Sequence, residues 1–76
     1  MSEANLTIRE VAERTGIGQP TLRMWEQRFG FPVPRRLPSG HRRYSESDVD
    51  HLMQVDGARR SGMSLSGAID RARDAA

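Results

Sequence analysis

The fold is decided by residues 6–30, which read LTIREVAERTGIGQPTLRMWEQRFG. A capping box opens this stretch: Thr7 is followed three residues later by Glu10, and such a pair of side chains satisfies backbone amides at a helix start. Apolar residues then recur at helical spacing and form one face, at Ile8, Val11 and Ala12. These signals predict a first helix over about residues 7–16.

A second helix is predicted over about residues 19–29. Pro20 suits its first turn, where a missing amide removes no hydrogen bond. Its apolar face repeats at helical spacing, at Leu22, Trp25 and Phe29. Gly16 and Gly30 are expected to end the two helices in the left-handed conformation. Because only about three to four residues join the helices, the stretch predicts a helix-turn-helix.

A basic segment with little to bury follows at residues 35–45, reading RRLPSGHRRYS. Turn-forming Pro38 and Gly40 lie between short extended runs, which predicts a β-hairpin within about residues 34–44. A helix-turn-helix followed by a basic hairpin is typical of winged DNA-binding domains. The hairpin would then be a wing that holds arginines against phosphate or in a minor groove.

Two further helices are predicted, over about residues 46–61 and 65–73. Ser45 and Asp48 form a variant capping box for the third helix, and Ser64 is the expected cap of the fourth. The apolar residues expected to face the core are Val49, Leu52, Met53, Leu65, Ala68, Ile69 and Ala72. The predicted fold class is therefore mainly α: one winged helix-turn-helix domain of four helices with a two-stranded wing.

Charge is distributed unevenly along the 76 residues, whose net charge is +2. Residues 5–44 hold eight arginines against three acidic residues, or +5, whereas residues 45–76 hold four against six, or −2. A positive first half fits a surface that meets phosphate, and a scattered solvated surface is the alternative. All twelve basic residues are arginine, which suits bidentate contacts to phosphate and guanine but also follows from a GC-rich genome.

Several classes of function are disfavoured. The chain has no cysteine, which leaves neither a disulfide framework nor a thiolate zinc site, and two histidines alone make a metal site improbable. No constellation of nucleophile, base and metal ligands is evident, so we expect neither an enzyme nor a cofactor. No apolar run approaches the length of a membrane span, and no signal-peptide core precedes the first helix. We expect a cytoplasmic, nucleoid-associated protein.

At this point the residues resemble a known family. The stretch from Leu6 to Gly30, together with GHRRYSESDV, is similar to the DNA-binding domain of MerR-type transcription regulators, and the resemblance extends to about Ala72. Its most specific parts are TIREVAERTGI, TLR.WE.R.G and P.R...GHRRYS, where dots stand for other residues. The resemblance implies sequence-specific binding of double-stranded promoter DNA, with the second helix in the major groove and, in the family, usually a dimer that distorts the spacer.

The residues expected to contact DNA combine this resemblance with the charge pattern. They are Arg9, Gly18, Gln19, Thr21, Arg23, Met24, Arg35, Arg36, His41, Arg42, Arg43 and Tyr44. Gln19, Thr21 and Met24 are expected at base edges. Phosphate contacts are expected from Arg23, Arg35, Arg42 and Arg43. His41 is expected either in a minor groove or as a solvated turn residue, and Tyr44 is expected to anchor the wing to the core, with its hydroxyl within reach of a phosphate.

Two departures from the family pattern stand out. Met24 and Trp25 occupy positions where many members carry two tyrosines, and RFGFPVP replaces a shorter link. Both features resemble the branch that carries cobalamin-binding or other large sensory modules. The sequence also lacks the sustained heptads of a dimerising helix. We therefore expect the isolated domain to be a monomer, and the full-length form to be a dimer or higher oligomer through a region not present here.

Alternatives stay open at this stage. The same fold could serve an excisionase-like architectural factor that bends DNA along an array. It could also serve a protein-interaction module whose basic face docks an acidic partner protein. Trp25 could stack on a base instead of packing in the core. Arg59 and Arg60 belong either to a solvated face or to a phosphate contact.

Overall fold

The computed structural model describes residues 4–74 of the chain. Its elements follow the order α1 (Ile8–Thr15), α2 (Gln19–Phe29), β1 (Arg35–Arg36), β2 (Arg42–Arg43), α3 (Glu46–Arg60) and α4 (Leu65–Asp74). The predicted fold class is confirmed, because four helices and a two-stranded antiparallel hairpin make a mainly helical winged domain.

Both predicted capping boxes are formed. The Glu10 amide donates to Thr7 Oγ1 over 3.1 Å, and the Thr7 amide donates back to Glu10 Oε1 over 3.0 Å. Ser45 and Asp48 exchange the same pair of bonds at 3.1 and 2.8 Å. Gly16 ends α1 at φ 76°, a left-handed value that a side chain would disfavour. The turn to α2 therefore needs only residues 16–18.

The wing is a short hairpin, and Tyr44 at its end forms an antiparallel bridge with Leu6 just before α1. Its two strands pair Arg35 with Arg43 and Arg36 with Arg42. Residues 37–41 close the hairpin, with Gly40 at φ 89°. Two-residue strands are marginal on their own.

The core lies where the four helices and the base of the wing meet. Its members are buried and apolar: Val11, Ile17, Leu22, Trp25, Phe31, Tyr44, Val49, Leu52, Val55, Ala68, Ile69 and Ala72. The helix-turn-helix supplies the first four of these, and the α3–α4 pair supplies the last six. Trp25 packs in this core with 1% of its surface exposed. In the DNA-free chain it is therefore a core residue and is not presented for stacking on a base.

One expected core residue lies outside the core. Met53 is 53% exposed, whereas Val55 and Asp56 are buried. The face of α3 that packs inward runs through Val49, Leu52, Val55 and Asp56, so Met53 points to one side of it. Asp56 tolerates this position because Arg59 and Arg60 both reach its carboxylate, each over 3.1 Å. Hydropathy alone would place Asp56 at the surface, because it takes no account of the two arginines that pair with the buried carboxylate.

Candidate nucleic-acid interface

The α2 helix presents one polar face away from the core. Leu22 and Trp25 are buried, while its exposed residues are Pro20, Arg23, Met24, Gln27 and Arg28. Arg23 donates to Gln19 Oε1 one turn earlier, over 3.4 Å. Thr21 is half-buried in the first turn. With 11 residues, α2 is about 16 Å long, so its exposed row can lie in a groove of a duplex.

The start of α2 is open to solvent. Gly18 is its N-cap, and no side chain in residues 4–74 caps it by a hydrogen bond. Helix N-termini leave amides without intrahelical partners, and these amides attract anions. A shallow groove beside this end is lined in part by Arg9, Gly18 and Gln19. Arg9 also pairs with Glu13 over 3.4 Å. This arginine borders the start of α2, and it does not line the concavity beside the wing.

The wing and α2 enclose a basic concavity of about 440 Å³. Its lining comes from three parts of the fold, namely the α1 start, α2 and the wing: Thr7, Ile8, Arg23, Gly40, His41, Arg42 and Arg43. Four of the residues predicted from the sequence to contact DNA therefore meet here, although up to 20 positions separate them along the chain. We refer to this surface as the basic concavity.

Ion pairs divide the arginines of this region into two groups. Arg36 Nη2 donates to Glu26 Oε1 over 3.3 Å, and Arg42 Nε lies 2.8 Å from Glu26 Oε2. In residues 4–74, Arg23, Arg35 and Arg43 form no ion pair with an acid within 4.0 Å. None of the three is held in an ion pair, although the charge of Arg43 contributes to a lowered pKa of the Glu10 carboxyl. Sequence reasoning missed Glu26, because its partners lie 10 and 16 positions away and no local pattern links them.

The turn of the wing keeps His41 at the surface. Ser39 Oγ lies 2.8 Å from His41 Nδ1, an exposed contact within the turn. Arg36 donates from Nη1 to the Gly40 carbonyl over 3.2 Å, and Leu37 and His41 close the turn through a backbone bond of 2.9 Å. The imidazole is thus held on the rim of the basic concavity, whether it meets DNA or solvent.

Tyr44 is placed in the core rather than on the surface. Its side chain is 1% exposed in this structure. Burial is the main reason that the pKa of its hydroxyl is raised, and the nearby Glu26 carboxylate acts in the same direction. The anchoring role expected from the sequence fits this position. A phosphate contact by its hydroxyl would require the wing to move.

A second group of arginines lies at the far end of α3. Arg59 and Arg60 share the Asp56 carboxylate, and the Arg59 guanidinium also lies over the Trp25 ring, 5.6 Å from its centroid. Their charge is thereby partly neutralised. This arrangement favours the solvated, structural reading of these two arginines over a phosphate contact.

The described residues contain no group of three or more His, Cys, Asp or Glu side chains that could hold a metal ion. Within the same part of the chain, every helix is too short or too polar to cross a bilayer.

The fold and the basic concavity together define a winged helix-turn-helix protein. Comparison with known protein families then identifies the family of this winged helix-turn-helix. Residues 6–74 match the model of the MerR HTH family regulatory proteins. The chain belongs to this family.

Similar proteins agree with that assignment. The chain is 37% identical over 68 residues to the HTH-type transcriptional repressor CarH of Myxococcus xanthus, covering 90% of this chain and 23% of that protein. It is 42% identical over 66 residues to the repressor CarA of the same organism, covering 84% of this chain and 23% of that protein. The chain thus spans about a quarter of the length of these two relatives.

A solved structure shares the fold. It is the crystal structure of HiNmlR, a MerR family regulator lacking the sensor domain, bound to promoter DNA. The TM-score is 0.77 at 29% identity, and the match covers 96% of this chain and 56% of that one.

Proposed function

We propose that this chain binds double-stranded DNA as the DNA-binding domain of a bacterial transcription regulator. The observation that carries the proposal is the basic concavity, which Arg23 of α2 and Arg43 of the wing both line and in which neither forms an ion pair with an acid of residues 4–74. Its α2 face would enter the major groove, and its wing would lie on phosphate or in the adjacent minor groove. The domain acts by binding and not by catalysis, and it works at the bacterial nucleoid.

Three observations support the proposal. The family match covers residues 6–74. The structural neighbour of the same family was solved on promoter DNA. Arg23, Arg35 and Arg43, which form no ion pair within residues 4–74, lie on α2 and the wing, where an electrostatic footprint for DNA is expected.

The roles divide between two sets of residues. Arg23, Arg35 and Arg43 neutralise phosphates, with Arg9 and the open amides of α2 beside them. Base edges are read by Gln19, Thr21 and Met24, whose side chains lie in the first two turns of α2. Amide and hydroxyl groups suit hydrogen bonds to bases, whereas the Met24 thioether, 43% exposed, suits apolar contact with a thymine methyl.

The isolated domain is proposed to bind one half-site as a monomer. Two linked half-site contacts would raise the affinity through effective concentration, and one contact lacks that gain. Any dimer would then form through a region other than the surfaces assigned here to DNA.

A salt titration tests the proposal. The domain is titrated against a fluorescent random-sequence duplex at several salt concentrations, and anisotropy reports binding. Three to five phosphate contacts predict a log–log slope of about −3 to −5. No binding at low salt, together with binding to an acidic protein, would contradict DNA binding and favour the interaction-module alternative.

A further inference from the structure

Glu26 is an acid of α2 that pairs with two arginines of the wing. It lies in the third turn of α2 and its side chain is 16% exposed. Both strands of the wing reach it: Arg36 from β1 over 3.3 Å and Arg42 from β2 over 2.8 Å. One carboxylate thus joins the helix expected in the major groove to each strand of the wing.

The two contacting atoms of the Glu26–Arg42 pair are withdrawn from water, although the Arg42 side chain as a whole is 35% exposed. Glu26 Oε2 and Arg42 Nε are both buried, and they meet as charges outside hydrogen-bond geometry. A buried charge without its partner is strongly unfavourable, so each of these two groups requires the other. The pair therefore holds the wing against α2 more firmly than an exposed surface pair would.

The wing needs such a contact. Each strand has only two residues, and hairpins this short are marginal by themselves. Its return strand is held at one end by the bridge from Leu6 to Tyr44. Glu26 supplies a second attachment on the α2 side, which fixes the orientation as well as the position of the wing.

We propose that Glu26 is a positioning residue that sets the wing at a fixed angle to α2 and thereby contributes to sequence discrimination. This inference rests on the proposed function. Arg35 and Arg43 on the wing form no ion pair within residues 4–74, and neither does Arg23, which faces the wing from α2. With the wing fixed, these guanidiniums match one spacing of phosphates, so α2 is held in one register over the bases. With the wing free, they can still bind phosphate but do not fix the register.

Simple electrostatics predicts a different effect, in which discrimination does not change. Glu26 adds negative charge near phosphate, so its neutralisation should strengthen binding to every duplex alike. Positioning predicts instead that discrimination falls while non-specific binding is kept or strengthened. The two accounts can therefore be separated by measuring the binding affinity for a random-sequence duplex and for a preferred duplex.

The experiment compares Glu26→Gln with Glu13→Gln. Both variants raise the net charge by one, and both remove the acid of an ion pair with arginine, but Glu13 lies on α1 and pairs with Arg9. Binding is measured on a random-sequence duplex and on a duplex selected by the wild-type domain from a random pool. We expect Glu26→Gln to reduce the ratio of the two affinities about tenfold, and Glu13→Gln to leave it unchanged. Equal ratios in the two variants would overturn the proposal.

Folding is checked by thermal unfolding of each variant. If Glu26→Gln does not fold, Glu26→Asp takes its place, because it keeps the charge and shortens the reach toward the two strands. A reduced ratio supports positioning, and an unchanged ratio overturns it.

A measurement without DNA separates this inference from the proposed function. Heteronuclear NOE values of the wing amides at Leu37 and Gly40 should fall in Glu26→Gln, while those of α3 and α4 stay constant. Unchanged wing values would overturn the positioning role. A wild-type domain that binds no duplex would instead overturn the proposed function.

Discussion

Leu6 and Tyr44 exchange two backbone hydrogen bonds: the Leu6 amide donates over 2.9 Å and the Tyr44 amide over 2.8 Å. This antiparallel bridge joins the residue before the first helix cap to the residue that ends the wing. The Tyr44 side chain then packs in the core. Tyr44 therefore holds the base of the wing through its backbone and its ring together, whereas its hydroxyl takes no part in the bridge.

Tyr44→Phe should leave DNA binding within about twofold of the wild type. The ring and the backbone bridge are retained, and the buried hydroxyl is not available to a phosphate in this conformation. Anisotropy titrations on the random-sequence duplex check this. A loss of tenfold or more would show that the wing moves on binding and brings the hydroxyl to DNA.

The same variant should alter stability in alkali. Burial raises the pKa of Tyr44 above its ordinary value of 10.0, so the folded state keeps a proton that the unfolded state releases. Stability is then full below pH 10 and falls as the pH rises toward the folded-state pKa. The sequence holds one tyrosine, no lysine and no cysteine, so no second side chain of these types obscures the effect. Urea unfolding between pH 8 and 11 should show a smaller decline for Tyr44→Phe than for the wild type.

The local features of this fold could be predicted from the sequence, because their causes are local. Thr7 with Glu10, Ser45 with Asp48, and Gly16 each act within one turn of a helix. The partners of Glu26 could not be predicted in this way, because tertiary packing brings two arginines of the wing to its carboxylate. The arginines beside Asp56 lie three and four residues away on the same helix and are local, but its burial depends on how α3 packs in the core.

The candidate site shows the same limit. The charge distribution of the sequence indicated that the DNA-contacting arginines lie in the N-terminal half of the chain, and the family resemblance supplied their expected roles. The sequence could not distinguish Arg42, which pairs with Glu26, from Arg43, which forms no ion pair in residues 4–74. That distinction comes from the register of the hairpin, since Arg36 and Arg42 are opposite each other and both lie beside α2. The DNA contacts themselves, the domain boundaries and the sensory branch stay predictions.

Glu10→Gln should reduce the sensitivity of the fold to acid. Hydrogen bonds from the Thr7 amide and hydroxyl lower the pKa of Glu10 below its ordinary value of 4.5, with a further contribution from Arg43. The stabilisation from this group is present above pH 4.5 and is lost as the pH falls through the folded-state pKa. Urea unfolding from pH 6 to 3 should show a shallower acid decline in the variant, with Glu13→Gln as the control on the same helix. Equal slopes for wild type and Glu10→Gln would contradict the capping role.

Trp25 should report folding and not DNA contact. The indole is buried and lies beneath Arg59, so a duplex cannot stack on it in this conformation. Emission should be blue-shifted in the folded domain, should shift to the red in urea, and should change by less than about a tenth when a saturating unlabelled duplex is added. Strong quenching by DNA without loss of structure would revive the base-stacking alternative.

Arg43→Ala should weaken binding to all duplexes and reduce the magnitude of the salt slope by about one, because one phosphate contact is lost. Arg71→Ala is the matched control, since it removes the same charge from an exposed position on α4. Its slope should stay within experimental error of the wild type. An equal change in both variants would mean that net charge, and not the wing, governs binding.

The most direct test of the central claim is to map the DNA-contacting surface by NMR. A ¹⁵N-labelled domain is titrated with a short duplex and its amide shifts are followed. The account predicts the largest changes at residues 18–24 and 35–43, which form the start of α2 and the wing. Changes centred on the groove of about 520 Å³ between α3 and α4, which Gly57 and Ala68 line, would contradict it.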